Sequence, residues 1–302
     1  MLVDIHVHIA RNHSAPGSGG RYYPTPEEML GFMDEAGIDM AVVMARVSPE
    51  CGIRLVPPAD VLEMCALHPK RLIPFCNLDP RMLTNGPDAD FRPMLRYYSE
   101  CGCKGIGEYL PNLPFDDPLN MNLFRQAAEM GMPITFHIGP TLGGCYGCYD
   151  ELGLPRLEKV MREIPDLKLF GHSQPFWSEI GADVTEQTRG GYPKGPVKEG
   201  RLVHLMRTYL NLYGDLSAGS GLNAISRDPA FGYGFMTEFQ DRLFFGTDIC
   251  SHNVADWSEV DYLKESLQKG GISREVYDKI TWKNANRVLE FGIADCGSGI
   301  SD

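Results

Sequence analysis

Two rhythms of apolar residues alternate along this chain. The first is a short, near-continuous run. Leu2, Val3, Ile5, Val7 and Ile9 form one within 1–10, Met40 to Met44 another, and Leu72-Ile73-Pro74-Phe75 a third within 71–78. Runs of this length read as buried strands. Others fall at 103–110, 133–138, 167–171, 210–216 and 243–249. The second rhythm returns every three or four positions and predicts amphipathic helices at 26–36, 57–68, 91–101, 120–130, 157–164 and 202–209. A less regular helical region closes at 235–239. The first helix carries a full start signal, with Thr25 as N-cap, Pro26 at the first helical position and Glu28 completing a capping box. Gly37 is its stop.

Short apolar strands alternating with helices imply a parallel sheet covered on both faces. Eight such strands, each separated from the next by a helical pattern, imply a closed (β/α)8 barrel of the α/β class. An open doubly wound sheet is the alternative, but no glycine-rich phosphate turn follows the first strand. Two extra helices are expected within 257–291, the second running from near Ser273 to just before Gly292. Residues 1–293 therefore read as a single barrel domain, and 294–302 as a polar, disordered tail.

Composition narrows the partners more than the fold. A chain of 302 residues suits one barrel, which commonly needs about 250. A net charge of −12 argues against nucleic acid or an anionic membrane as partner, and leaves a small molecule as the expected one. No apolar run approaches a membrane span. Asp4, His6 and His8 interrupt what would be the core of a signal peptide, so a cytoplasmic protein is expected. The nine cysteines, odd in number and scattered, read as reduced thiols. Cys145 and Cys148 lack a second pair to complete a structural zinc site and read as inert loop thiols. Oligomeric state is open, although extra terminal helices are a common means of homo-oligomer formation.

The chemistry gathers at the strand ends. His6 and His8 lie two apart, so in a strand their side chains share a face. Alone, the pair is either half of a metal site or two hydrogen-bonded core histidines. In a barrel the C-terminal strand ends converge on one open face. There the fourth strand carries Glu108, the fifth His137, the sixth His172 and the eighth Asp248. Each alone reads as a hydrogen-bonding residue. Together, so many uncompensated buried imidazoles and carboxylates would be costly, and a divalent cation compensates them all. Arg46 and Asn77 follow the second and third strands and are candidates to meet a substrate carboxylate or amide; Ser217, beyond the seventh, is a weaker one. The glycine-rich stretch 139–149 is expected over the site as a lid. His252 is near the mouth but reads as a surface residue.

These residues resemble the amidohydrolase superfamily, in the branch of amidohydrolase-related proteins that includes the aminocarboxymuconate-semialdehyde decarboxylase-like enzymes. The matching motifs are Asp4-Ile5-His6-Val7-His8, Phe136-His137, Gly171-His172 and Phe245-Gly246-Thr247-Asp248, with Asn284-Ala285-Asn286-Arg287-Val288-Leu289 as the closing helix. The resemblance implies that His6, His8 and His137 bind a divalent metal, usually Zn2+, with Asp248 as a further ligand. It implies that His172 orients the substrate carbonyl or holds a second metal, and that Glu108 stands where a bridging ligand of two-metal members would come from. The reaction expected is attack on an amide, lactone or related ester carbon by a metal-bound hydroxide, with Asp248 as general base. The alternative is a metal-dependent, non-oxidative decarboxylase of a small unsaturated or aromatic carboxylic acid. A third reading, from a different class, is a barrel that has lost catalysis and only binds a ligand.

Overall fold

A computed structural model describes residues 1–13, 16–51, 54–254 and 257–293; the tail expected at 294–302 lies outside the described residues. The strands are β1 (Val3–Val7), β2 (Met40–Val43), β3 (Leu72–Pro74), β4 (Ile106–Tyr109), β5 (Ile134–Gly139), a two-residue β6 (Cys148–Tyr149), β7 (Leu169–His172), β8 (Leu212–Asp215) and β9 (Leu243–Phe244). Apart from β6, which flanks β5, they run in parallel order β1-β2-β3 and β4-β5-β7-β8-β9. Parallel bridges from Cys76 to Ile106 and from Val7 to Ile249 join the two runs at both seams. The expected (β/α)8 barrel is the fold.

The helices are α1 (Pro26–Ala36), α2 (Pro58–Leu67), α3 (Arg92–Glu100), α4 (Pro118–Glu129), α5 (Pro155–Glu163), α6 (Gln174–Ser178), α7 (Arg201–Thr208), α8 (Ala218–Ser226), α9 (Pro229–Glu238), α10 (Ser258–Gln268), α11 (Arg274–Asp278) and α12 (Asn284–Leu289). The capping box at Thr25 and Glu28 forms as expected, and Gly37 takes the left-handed conformation that ends α1. The second tail helix begins at its Ser273 cap but passes through a π turn, Lys279–Lys283, between α11 and α12. α6 is additional to the sequence reading, and the less regular helical region that closes at 235–239 consists of α8 and α9, the latter starting at an Asp228 cap. Gly219 and Gly221 in α8 and Gly232 and Gly234 in α9 lower helix propensity, so only packing defines their bounds. The last strand is also shorter than 243–249: β9 ends at Phe244, and Ile249 bridges to Val7 beyond Asp248, which has φ +55°.

Two apolar layers organise the barrel. The outer one lies between strands and helices and includes Val7, Val43, Phe136 and Leu169 with Met29, Met33 and Phe124. The inner one collects Val3, Ile5, Val42, Met44, Ile73, Phe75, Phe170, Tyr213 and Phe244 against Trp282, Ala285, Val288 and Leu289 of the C-terminal segment. That segment plugs the N-terminal end of the barrel, so polar side chains collect at the other.

Candidate active site

Regular strands place their candidate ligands by alternation. On β7, Phe170 joins the inner layer and His172, two residues on, faces the same interior above it. Tyr213 and Asp215 repeat this on β8. β1 and β4 do not alternate. Their pairings shift register between Asp4 and Val7 and between Ile106 and Tyr109, so each carries an irregularity at its functional residues. Ile5 packs in the inner layer, yet the adjacent His6 also faces in, its ring 4.6 Å from that of His172. On β4, a Cβ at Gly107 would meet Met44 Sδ at 2.9 Å and Thr135 Cβ at 3.0 Å, so Gly107 faces the interior as Glu108 does.

The predicted residues His6, His8, Glu108, His137, His172 and Asp248 all meet at this end. His6 Nε2 lies 3.2 Å from His8 Nε2. His8 Nε2 is 3.3 Å from both Glu108 Oε2 and Asp248 Oδ1, which lie 3.9 and 3.8 Å from His6 Nε2. Metal–ligand bonds of about 2.1 Å at tetrahedral angles separate neighbouring donors by about 3.4 Å. The donor atoms therefore have the type and spacing that a divalent cation requires. Glu108 turns its other oxygen, Oε1, to His137 Nδ1 at 2.8 Å. His6, His8 and Asp248 form one compact donor group, and Glu108, His137 and His172 form another.

Electrostatics agree with this fit. Burial opposes a charge on His6, yet Asp215, Asp248 and Glu108 outweigh it and lift its pKa to about 10. A site that attracts positive charge so strongly suits a cation. Burial would raise Glu108 and Asp248, but the surrounding histidines outweigh it and hold both carboxylates below their usual range. His172 is pushed down to about 4 by burial and by His6, so it is neutral near pH 7. Asp248 is the open member, with 22% of its side chain exposed. It borders a cavity of about 370 Å³ lined also by Arg21, Gly219, Thr247, Cys250 and Asn253.

The sequence reading passed over Asp215. Its Oδ2 accepts from His6 Nδ1 at 2.6 Å, which leaves Nε2 facing the donor group. The available signal was the strand ending Tyr213-Gly214-Asp215, with its acid at the inward parity of Tyr213. Tyr23 was also missed, and nothing in its local sequence marks it; Tyr146 was expected only as part of the stretch over the site. Tyr23 stacks on His8 at 5.4 Å between ring centres and accepts a hydrogen bond from Arg46, whose guanidinium also lies 5.0 Å from the Tyr146 ring. Arg46 thus stands beside the metal-competent cluster. Asn77, expected to meet substrate, donates from its amide nitrogen to Ala45 O at 3.0 Å and Glu108 O at 2.5 Å, bonds that brace the barrel wall. Ser217 Oγ sits 2.9 Å from His172 Nδ1.

The 139–149 stretch does lie over the site, with Tyr146 4.8 Å from the His137 ring. Asn112 holds it in place here through Thr141 O and Gly147 O, both at 2.9 Å. Cys148 is buried in β6, while Cys145 is partly exposed and reaches Thr141 O. His252 stacks on Tyr22 at 3.8 Å, at the periphery.

A (β/α)8 barrel with a histidine–carboxylate cluster at its C-terminal face defines a class of metal-competent barrel proteins. Comparison with known proteins narrows it: residues 3–291 match the amidohydrolase family, and the chain belongs to that family. A search of curated proteins returned no match. Among solved structures, a dihydroxybenzoic acid decarboxylase from Polaromonas, with bound manganese and the inhibitor 2-nitroresorcinol, is 17% identical with a TM-score of 0.63, over 97% of this chain and 98% of its own. A 2,6-dihydroxybenzoate decarboxylase from Rhizobium is 17% identical, TM-score 0.61, over 97% and 99%. A probable 2-pyrone-4,6-dicarboxylic acid hydrolase from Acinetobacter baumannii, with citric acid bound, is 13% identical, TM-score 0.61, over 96% and 99%. At these identities the likeness is one of fold. Among the described residues, no helix is long and apolar enough to cross a membrane.

Proposed function

We propose that the protein is a metal-dependent hydrolase acting on an amide, lactone or related ester carbon of a small molecule. The observation that supports hydrolysis is the two-sided position of Glu108, with Oε2 3.3 Å from His8 Nε2 and Oε1 2.8 Å from His137 Nδ1. One carboxylate thereby serves both donor groups, as a ligand shared by two ions would. His6, His8, Asp248 and Glu108 would hold the first ion, and Glu108, His137 and His172 the second. Bound there, a divalent ion such as Zn2+ supplies Lewis acidity and lowers the pKa of coordinated water toward about 7.

The chain's own residues do the rest. Asp248, ionised and open to the cavity, accepts the proton of the attacking water and passes it to the leaving group. In the one-ion form, a hydrogen bond donated by Ser217 Oγ to Nδ1 of neutral His172, 2.9 Å away, would place the proton on Nε2, where it can hydrogen-bond the carbonyl oxygen under attack. Asp215 holds the His6 ring through Nδ1. Arg46, steadied by Tyr23 and Tyr146, would receive an acidic group on the substrate.

Elemental analysis of the purified protein, with product analysis on lactones and amides of small carboxylic acids, tests this reading. Two ions per chain and a hydrolysed product are expected. One ion, with release of carbon dioxide instead, overturns it and selects the second reading, a non-oxidative decarboxylase of an unsaturated or aromatic acid. That reading draws on the dihydroxybenzoate decarboxylases that share the fold, one of them with manganese.

A further inference from the structure

Asp4 is a fully buried carboxylate that the mechanism above leaves without a task. Its partners are few and lie close together. Oδ1 accepts from His6 N at 2.9 Å and from Thr247 N at 3.1 Å, and Oδ2 accepts from Thr247 Oγ1 at 2.5 Å. Thr247 Oγ1 in turn accepts from Ile249 N at 3.2 Å. These bonds span the seam where the first and last strands meet, at a separation of 243 residues in sequence. They enclose Asp248, which takes the left-handed conformation at φ +55° and whose N donates to His6 O at 2.9 Å. Gly246 completes the fit, because a Cβ there would meet Asp4 Oδ1 at 3.3 Å and Ser217 Cβ at 2.9 Å.

From this geometry we infer that Asp4 is a positioning residue for Asp248. It clasps Thr247 from across the seam and so fixes the backbone turn that presents the Asp248 carboxylate to the metal. Within β1 alone Asp4 would keep only the bond from His6 N; its bonds to Thr247, in the segment after the last strand, come from across the seam. The inference rests on the reading of Asp248 as a metal ligand.

The test is a double-mutant cycle on zinc affinity, measured on the full chain by competition with a chromophoric chelator, with circular dichroism and Tm recorded for each variant. Asp4→Ala is expected to weaken zinc binding about ten- to hundred-fold, the range of second-sphere substitutions. Thr247→Val should do the same, and Thr247→Ser, which keeps the hydroxyl, should restore near-native affinity. In an Asp248→Ala background, Asp4→Ala should cost no more than about twofold further, because its effect passes through the missing ligand. An equal loss in both backgrounds, or unchanged affinity in Asp4→Ala, overturns the inference. If Asp4→Ala does not fold, Thr247→Val carries the same cycle. Native affinity in Asp248→Ala alone would instead refute Asp248 as a ligand, a separate failure read from a separate variant.

Discussion

The strands that build the site are of two kinds. β5, β7 and β8 alternate, so Thr135 and His137, Phe170 and His172, and Tyr213 and Asp215 face inward at period two. β1 and β4 are irregular just where they carry candidate ligands, and consecutive residues, Ile5 with His6 and Gly107 with Glu108, both turn inward. The regular strands supply His137, His172 and Asp215. The irregular ones supply His6, His8 and Glu108, whose atoms make the 3.2–3.9 Å contacts. A bulge moves a side chain off the pleat without ending the strand, so it brings donors closer than one alternating strand could. In this barrel the donor atoms gathered around His8 Nε2 come largely from the least regular backbone.

The largest test of that contrast is at the seam. Asp248→Asn keeps the shape and an oxygen donor but removes the proton acceptor; turnover is expected to fall about 10²–10⁴-fold, with metal retained by elemental analysis. Near-normal turnover would remove Asp248 as the base.

Next comes the support that a regular strand lends to an irregular one. Asp215→Asn leaves β8 intact but weakens the charged partner of His6 Nδ1, and metal affinity should drop about ten- to hundred-fold in a chelator titration. An unchanged affinity would mean that β1 orients His6 unaided.

Two stability measurements complete the comparison. Gly107→Ala places a methyl 2.9 Å from Met44 Sδ and 3.0 Å from Thr135 Cβ, with Thr135 O at 3.3 Å. Overpacking of this kind costs about 1–3 kcal/mol, to be read by denaturant unfolding. The smallest effect belongs to the neighbouring regular strand. Thr135 Oγ1 is buried with no hydrogen-bond partner, so Thr135→Val should be neutral or slightly stabilising. A large loss there would show that β5 is as demanding as β4.

Much of this molecule is legible in the order of its residues. The two apolar rhythms determined the barrel, because buried parallel strands and amphipathic helices follow from local periodicity. The strand-end histidines and carboxylates His6, His8, Glu108, His137, His172 and Asp248 were legible for a related reason: ionisable groups next to apolar runs stand out chemically. Tertiary structure alone decided the rest. It paired Asp215 with His6 across 209 positions and Asp4 with Thr247 across 243. It tied Asn77 to the backbone of Glu108, set Tyr23 and Tyr146 beside Arg46, and bonded Asn112 to the 139–149 stretch. Partners this distant leave no local pattern, and a bulge breaks the only periodicity that would have said which way His6 and Glu108 point.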